Sequence, residues 1–233
     1  MNKENFKKAL DLVKSNSPKR NFKQTYDLVI NVKDLNLKKP DQQVDLFISL
    51  NHPRAKKAKV CALIGPELGE QAKANCDKFI LHDDFHIYAG NKIELRKLAK
   101  GHKFFIAQAN LMTDIAKTFG KVLGSRGKMP NPKAGCVVPP NANLKVLVER
   151  LQKTVRATIK EQLSAKFSVG NEDTPEEQVL DNITTIYTAL VKALPEEENN
   201  IKNVMIKFSM GPPALITAKG DVTFKKKEEA AKK

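Results

Sequence analysis

The amino-acid sequence predicts two domains: a discontinuous α+β domain with a split β-α-β sheet and helices, and an inserted α/β domain of Rossmann-like, three-layer build. Three observations predict this. Strand patterns near both ends of the chain alternate apolar and polar residues, as in a sheet with one dry face. The central strand patterns are short, nearly continuous apolar runs separated by helical stretches, as in a parallel sheet covered on both faces. The change of pattern falls twice, at Asn51-His52-Pro53-Arg54 and near Lys153. Residues 1–53 plus 153–233 therefore form one domain and residues 54–152 the other, and two chain crossings at one place make a natural hinge.

In chain order, Phe6, Ala9, Leu10 and Val13 recur at helical spacing and predict an amphipathic helix that packs on a sheet, ended by Ser17-Pro18. Residues 19–25 lead into a strand on which Tyr26, Leu28, Ile30 and Val32 alternate with mostly polar neighbours. After a turn at Lys38–Asp41, Val44, Leu46, Ile48 and Leu50 alternate again. In the centre, Val60–Ile64, Phe79–Leu81 and Phe104–Ala107 read as strands, with helices over about 67–75 and 92–99. A further helix carries Leu111, Ile115, Phe119 and Val122 on one side. The stretch 124–135, GSRGKMPNPKAG, is a basic loop: Pro130 and Pro132 lack backbone donors and turn their predecessors away from helix. A helix bearing Leu144, Leu147, Val148 and Leu151, capped by Asn141 or Asn143, closes the central domain.

Beyond it, Val155, Ala157 and Ile159, then Leu163, Ala165, Phe167 and Val169, read as long strand material bent near Glu161. Thr174-Pro175-Glu176-Glu177 has the residues of a helix start, with threonine as the cap. Val179, Ile183, Ile186, Leu190 and Leu194 give that helix its buried stripe. Val204, Ile206 and Phe208 form the last strand and run into Ser209-Met210-Gly211-Pro212-Pro213. The final residues, FKKKEEAAKK, carry no core positions and are expected to be a disordered tail from about 225 onward.

Composition narrows the function. The chain of 233 residues, 41% hydrophobic, buries a core and is globular. Its 41 basic and 26 acidic residues give a formal net charge of +15, the electrostatic footprint of a polyanion binder. The excess is not confined to a tail: residues 54–152 carry 18 basic and 8 acidic side chains, and the remainder 23 and 18. Cys61, Cys76 and Cys136, with no C-x-x-C pair, suit core residues in a reducing compartment better than disulfides or zinc ligands. No apolar run approaches the ~20 residues of a membrane span. The first residues, MNKENFKKAL, lack the apolar stretch of a signal peptide, so a soluble intracellular protein is expected.

No catalytic constellation emerges. Gly124-Ser125-Arg126-Gly127-Lys128 has the wrong glycine gap for a nucleotide phosphate loop, and Met129 stands where a hydroxyl is needed. A KH-type backbone clamp requires a second helix directly after the glycines, which the prolines oppose. Two readings of this loop stay open: Arg126, Lys128 and Lys133 touch RNA phosphate, or they brace the domain junction. Gly65-Pro66-Glu67-Leu68-Gly69 places an acid where a dinucleotide phosphate would lie. His82 and His86 share the spacing of a zinc helix but lack the glutamate and a third ligand. More informative is a possible meeting of Lys19–Thr25, which begins one strand, with Ser209–Pro212, which ends another. If those strands are neighbours, Phe22 and Met210 lie among basic side chains on a surface suited to a folded RNA; otherwise both are core residues.

The loop GSRGKMPNPKAG is similar to the signature loop of the large-subunit ribosomal protein L-one family, commonly G-P-R-G-x-M-P-x-P-K-x-G. The resemblance covers nearly the whole chain, including the Phe22–Thr25 lead-in, Val148-Glu149-Arg150, Gly170-Asn171, Asp181-Asn182-Ile183 and the closing S-M-G-P, and its wording resembles the archaeal branch. It implies a cytoplasmic, non-enzymatic ribosomal protein without a cofactor, monomeric off the ribosome. Its split domain would bind the mobile ribosomal RNA stalk near the tRNA exit site and assist release of deacylated tRNA. The resemblance also implies a translational repressor that binds its own mRNA, with exit-site tRNA and other ribosomal components as partners. The positions matching the family's RNA-contacting segments are Arg20, Phe22, Thr25, Ser209, Met210, Gly211 and Pro212. Ser125, Ser209 and Asn51-His52-Pro53 depart from the family's usual proline, threonine and Pro-His-Gly. The rival readings are a nucleotide- or phosphate-binding enzyme built on the central domain and a KH-like mRNA regulator preferring single strands.

Overall fold

In the computed structural model, which describes residues 2–54, 56–217 and 220–224, the chain divides into two units, residues 1–56 with 155–233 and residues 57–154. Unit 1 opens with α1 (Lys3–Asn16), β1 (Thr25–Val32) and β2 (Val44–Ser49). Unit 2 holds β3 (Val60–Ile64), α2 (Gly69–Asn75), β4 (Lys78–Leu81), α3 (Phe85–Ala89), α4 (Lys92–Gly101), β5 (Phe104–Gln108), α5 (Met112–Ser125), β6 (Val137–Val138) and α6 (Leu144–Lys153). The chain then returns to unit 1 through β7 (Thr154–Ile159), β8 (Ser164–Asn171), α7 (Glu176–Val191), β9 (Ile201–Phe208), β10 (Ala214–Thr217) and β11 (Val222–Phe224).

Strand parity decides which face of unit 1 is dry. Tyr26, Leu28, Ile30 and Val32 are buried on β1, as are Val204, Ile206 and Phe208 on β9. They line one face of an antiparallel sheet in the order β11-β10-β9-β1-β8. The apolar stripes of α1 and α7 join the same core, with Phe6 and Tyr187 meeting edge to face at 5.5 Å. β8 and β9 flank β1, and α7 carries the chain from one to the other, so the lead-in to β1 and the exits of β8 and β9 share one end of the sheet.

The structure departs from the sequence pattern at four places. The long strand material does bend near Glu161, at residues 160–163, but its halves belong to different sheets: β7 pairs with β2 in a separate ribbon, and β8 joins β1. Both halves turn odd-numbered residues inward, so periodicity does not mark the change of sheet; Leu163, expected on the dry face, is exposed while its carbonyl accepts from Val32 N. Thr174 does not cap α7; its Oγ1 accepts from Asn171 N at 3.0 Å and closes the turn out of β8. Phe224 is not part of a coreless tail, because it sits on β11 and packs against the core. β6, β10 and β11 are additional strands, too short to register a period in the sequence. The expected disorder of residues 225–233 lies outside the described residues.

Arg156 on β7 grips Asp45 on β2 with two 2.8 Å bonds, and Lys160 adds a third at 2.7 Å. The Arg156 hydrogen bonds are the largest cause holding the Asp45 carboxyl down at about 2, against 3.8 for a free group. A lowered folded value means this stability is present above the unfolded value and is lost as pH falls through about 2. Asp45→Asn should therefore cost about 1–2 kcal/mol near neutral pH and little around pH 2, measured by urea unfolding at both. Equal losses at both would contradict the linkage.

In unit 2 the parallel sheet runs β4-β3-β5-β6. β3 and β5 are buried along their full length, as a sheet covered on both faces requires. Cys61, Leu63, Phe105 and Ala107 pack against Phe85, Leu95, Leu98, Ile115 and Phe119 of α3, α4 and α5. α2 packs with α6 and β4. Asn143, one of the two expected caps, does cap α6 by accepting from Lys145 N.

Candidate nucleic-acid interface

The lead-in to β1 and the exit of β9 meet. β1 and β9 pair through Tyr26 and Phe208, whose rings lie 4.4 Å apart. Beyond that pair Ser209 N donates to Thr25 O at 3.0 Å, and the two hydroxyls, Thr25 Oγ1 and Ser209 Oγ, are 2.6 Å apart. Met210 N donates to Gln24 Oε1 at 3.3 Å. Gly211 N then closes a turn onto Phe208 O. At Gly211 a Cβ would stand 2.9 Å from Ser17 Oγ and 3.2 Å from Phe208 Cβ, so close approach requires glycine.

Phe22 is 52% exposed and Met210 64% exposed, which rules out the core reading of both. Large apolar side chains left in water beside a sheet end are the feature that calls for a partner. Arg20 is exposed, while Thr25, Ser209, Gly211 and Pro212 are half-buried and shape the floor of the site. Lys23 pairs with Asp173 on the far side of β1, and Lys207 Nζ donates to Ser209 O at 3.3 Å. Burial raises the Asp27 carboxyl above its ordinary value, with Lys207 and Lys56 pulling the other way.

Sequence reasoning missed the residue that joins these parts. Gln24 is 2% exposed, and its side chain lies between Met210 N and Glu172. The signal was present: Gln24 shares the parity of Tyr26 and Leu28 and so had to face inward.

The three basic residues of the proline-rich stretch lie in unit 2 and are not equivalent. Gly124 and Ser125, expected in the loop, are the last residues of α5. The helix closes with Lys128 N donating to Leu123 O and Gly127 N to Gly124 O, a Schellman end with Gly127 at φ +62°. Lys128 Nζ donates to Ala99 O and His102 O, 2.7 Å each, at the C-terminal end of α4. Burial lowers its pKa, and nearby Arg126 adds to the effect. Lys128 is thus a brace between loop and helix, whereas Arg126 and Lys133 are exposed.

The crevice between β3 and β5, where parallel sheets receive nucleotides, is closed. Gln108, 3% exposed, accepts from Gly65 N at 2.8 Å and donates to Glu67 at 3.0 Å. Its amide takes up the Gly65 backbone donor and sits beside an acid, which disfavours a phosphate there. His82 lies 3.4 Å from Asp114, and among the described residues no group of three potential metal ligands gathers. No helix among them is long and apolar enough to cross a membrane.

A family model described as Ribosomal protein L1p/L10e family matches residues 12–212. The chain is 35% identical over 233 residues to a protein of Methanocaldococcus jannaschii named large ribosomal subunit protein uL1, covering all of both chains. A protein of the same name from Methanothermococcus thermolithotrophicus is 38% identical over 216 residues, spanning 93% of this chain and 99% of its own. The Nanoarchaeum equitans protein of that name is 37% identical over 202 residues, 85% of this chain and 93% of its own.

Proposed function

The chain belongs to the ribosomal protein L1p/L10e family and is not an enzyme; from that premise we propose that it is a structural component of the large ribosomal subunit that binds the mobile ribosomal RNA stalk near the tRNA exit site. Residues 1–53 plus 153–233 form the RNA-binding domain, and residues 54–152 form the inserted one. Arg20, Phe22, Thr25, Ser209, Met210, Gly211 and Pro212 make the docking face. Lysines and arginines supply salt-dependent attraction to phosphate, and the Phe22/Met210 surface supplies fit to a folded RNA. Arg126 and Lys133 offer a secondary phosphate contact on unit 2. By holding the stalk the protein assists release of deacylated exit-site tRNA. It represses translation where its own mRNA presents a similar folded contour, and other ribosomal components are its remaining neighbours.

The observation that carries this reading is the pair of exposed apolar side chains, Phe22 and Met210, fixed to one end of the sheet by bonds between Thr25 and Ser209 and between Gln24 and Met210. A chemical footprint of the protein on purified archaeal large-subunit RNA tests it. Protection is expected over the stalk and at few other places; protection spread evenly over duplex regions would leave only generic charge attraction.

A further inference from the structure

We propose that Gln24 and Glu172 are positioning residues for RNA docking, an acidic side chain thereby strengthening the binding of a polyanion. The proposal rests on the docking face described above and concerns what holds that face in shape.

At this end of the sheet the regular ladder runs out: the last pairs of β1 are Thr25 with Asn171 and Tyr26 with Phe208. Phe22 and Met210 project beyond it from different segments. Gln24 ties the segments together with every polar group it has. Its backbone N donates to Glu172 Oε2 at 3.0 Å, and its carbonyl accepts from Glu172 N at 3.1 Å. Its Nε2 donates to Glu172 Oε1 at 3.4 Å, and its Oε1 accepts from Met210 N at 3.3 Å. Glu172 sets the rotamer of Gln24, and Gln24 sets the position of the Met210 backbone. At 2% exposure Gln24 itself cannot touch a ligand.

Recognition by shape needs side chains placed to about 0.5 Å, and placement fixed before binding lowers the ordering cost of association. A carboxylate near an RNA-docking face has a direct effect of opposite sign, since it repels phosphate. The sign of a substitution's effect therefore separates the two roles.

The test measures binding of the full-length protein, at one fixed salt concentration, to a folded stalk fragment of archaeal large-subunit RNA and to an unrelated duplex of equal length. Glu172→Ala is expected to bind the stalk fragment roughly five- to tenfold more weakly although it removes a negative charge, and to bind the duplex as well as or better than wild type. Glu172→Gln, which keeps an acceptor for Gln24 N, should fall between wild type and alanine. Gln24→Met, which changes no charge, should weaken stalk binding similarly and speed hydrogen exchange at Met210 N, with the melting temperature within a few degrees of wild type. A bystander carboxylate would instead make both Glu172 variants bind the stalk as tightly as wild type or more tightly; that result, or unchanged affinity in Gln24→Met, overturns the proposal. Wild-type protein showing no preference for the stalk fragment over the duplex would overturn the ribosomal RNA reading itself.

Discussion

Met210→Asp is expected to weaken binding to the stalk fragment by about 100-fold or more while leaving the fold intact. The side chain is 64% exposed, so little native packing is lost and stability should stay within about 0.5 kcal/mol. On the docking face the substitution removes the thioether contact and sets a carboxylate toward phosphate oxygens. At an effective dielectric of about 20 and a separation of about 5 Å, that repulsion alone is on the order of 3 kcal/mol, roughly a hundredfold. Met210→Leu keeps an apolar side chain of similar volume and should bind within about threefold of wild type. Filter binding or calorimetry at one salt concentration, with a melting curve for each variant, checks both. Unchanged affinity in the aspartate variant would place the site elsewhere on the molecule.

The largest effect on stability is expected from Asn182→Ala. Asn182 is 0% exposed, and its amide is used from both ends: Oδ1 accepts from His52 N at 3.2 Å, and Nδ2 donates to Val169 O at 3.0 Å. It ties the segment leaving β2 to α7 and to β8. Truncation leaves buried polar backbone without its partner and opens a small void, together worth about 2–3 kcal/mol. For a chain of this size the melting temperature should fall by roughly 6–10 °C. Well below that temperature the stalk fragment should bind as before, because the bonds that join Thr25 to Ser209 and Gln24 to Met210 do not involve Asn182. A melting temperature within about a degree of wild type would show that water replaces the amide at no cost.

Much of the fold was legible in the sequence because periodicity records burial. The even-numbered residues of β1 and the unbroken apolar runs of β3 and β5 distinguish a one-faced sheet from a two-faced one without any coordinates. Where short polar connections decide the path, pattern reading failed. The bend near Glu161 could be read, but parity runs on across residues 160–163, so the change of sheet there could not, and Thr174 bonds in the preceding turn instead of capping the helix. The exposed half of the candidate site could be assembled from the sequence only through the family resemblance, since spacing left Phe22 and Met210 equally readable as core. The hidden half, Gln24 with Glu172, depends on a contact between residues 148 positions apart, which no local pattern encodes. Lys128 shows the reverse: a basic residue in a basic loop looks like a phosphate ligand until two carbonyls at the end of α4 are seen to hold it.

The claim that the Phe22/Met210 end of unit 1 is the docking face is tested most directly by nuclear magnetic resonance of the Met210 methyl group and the Phe22 ring during titration with the stalk fragment. Both signals should shift with the first additions of RNA and saturate at one equivalent, ahead of residues on unit 2. If both stay unmoved while resonances of Arg126 and Lys133 respond, the RNA docks on the other unit and the face described here is not its site.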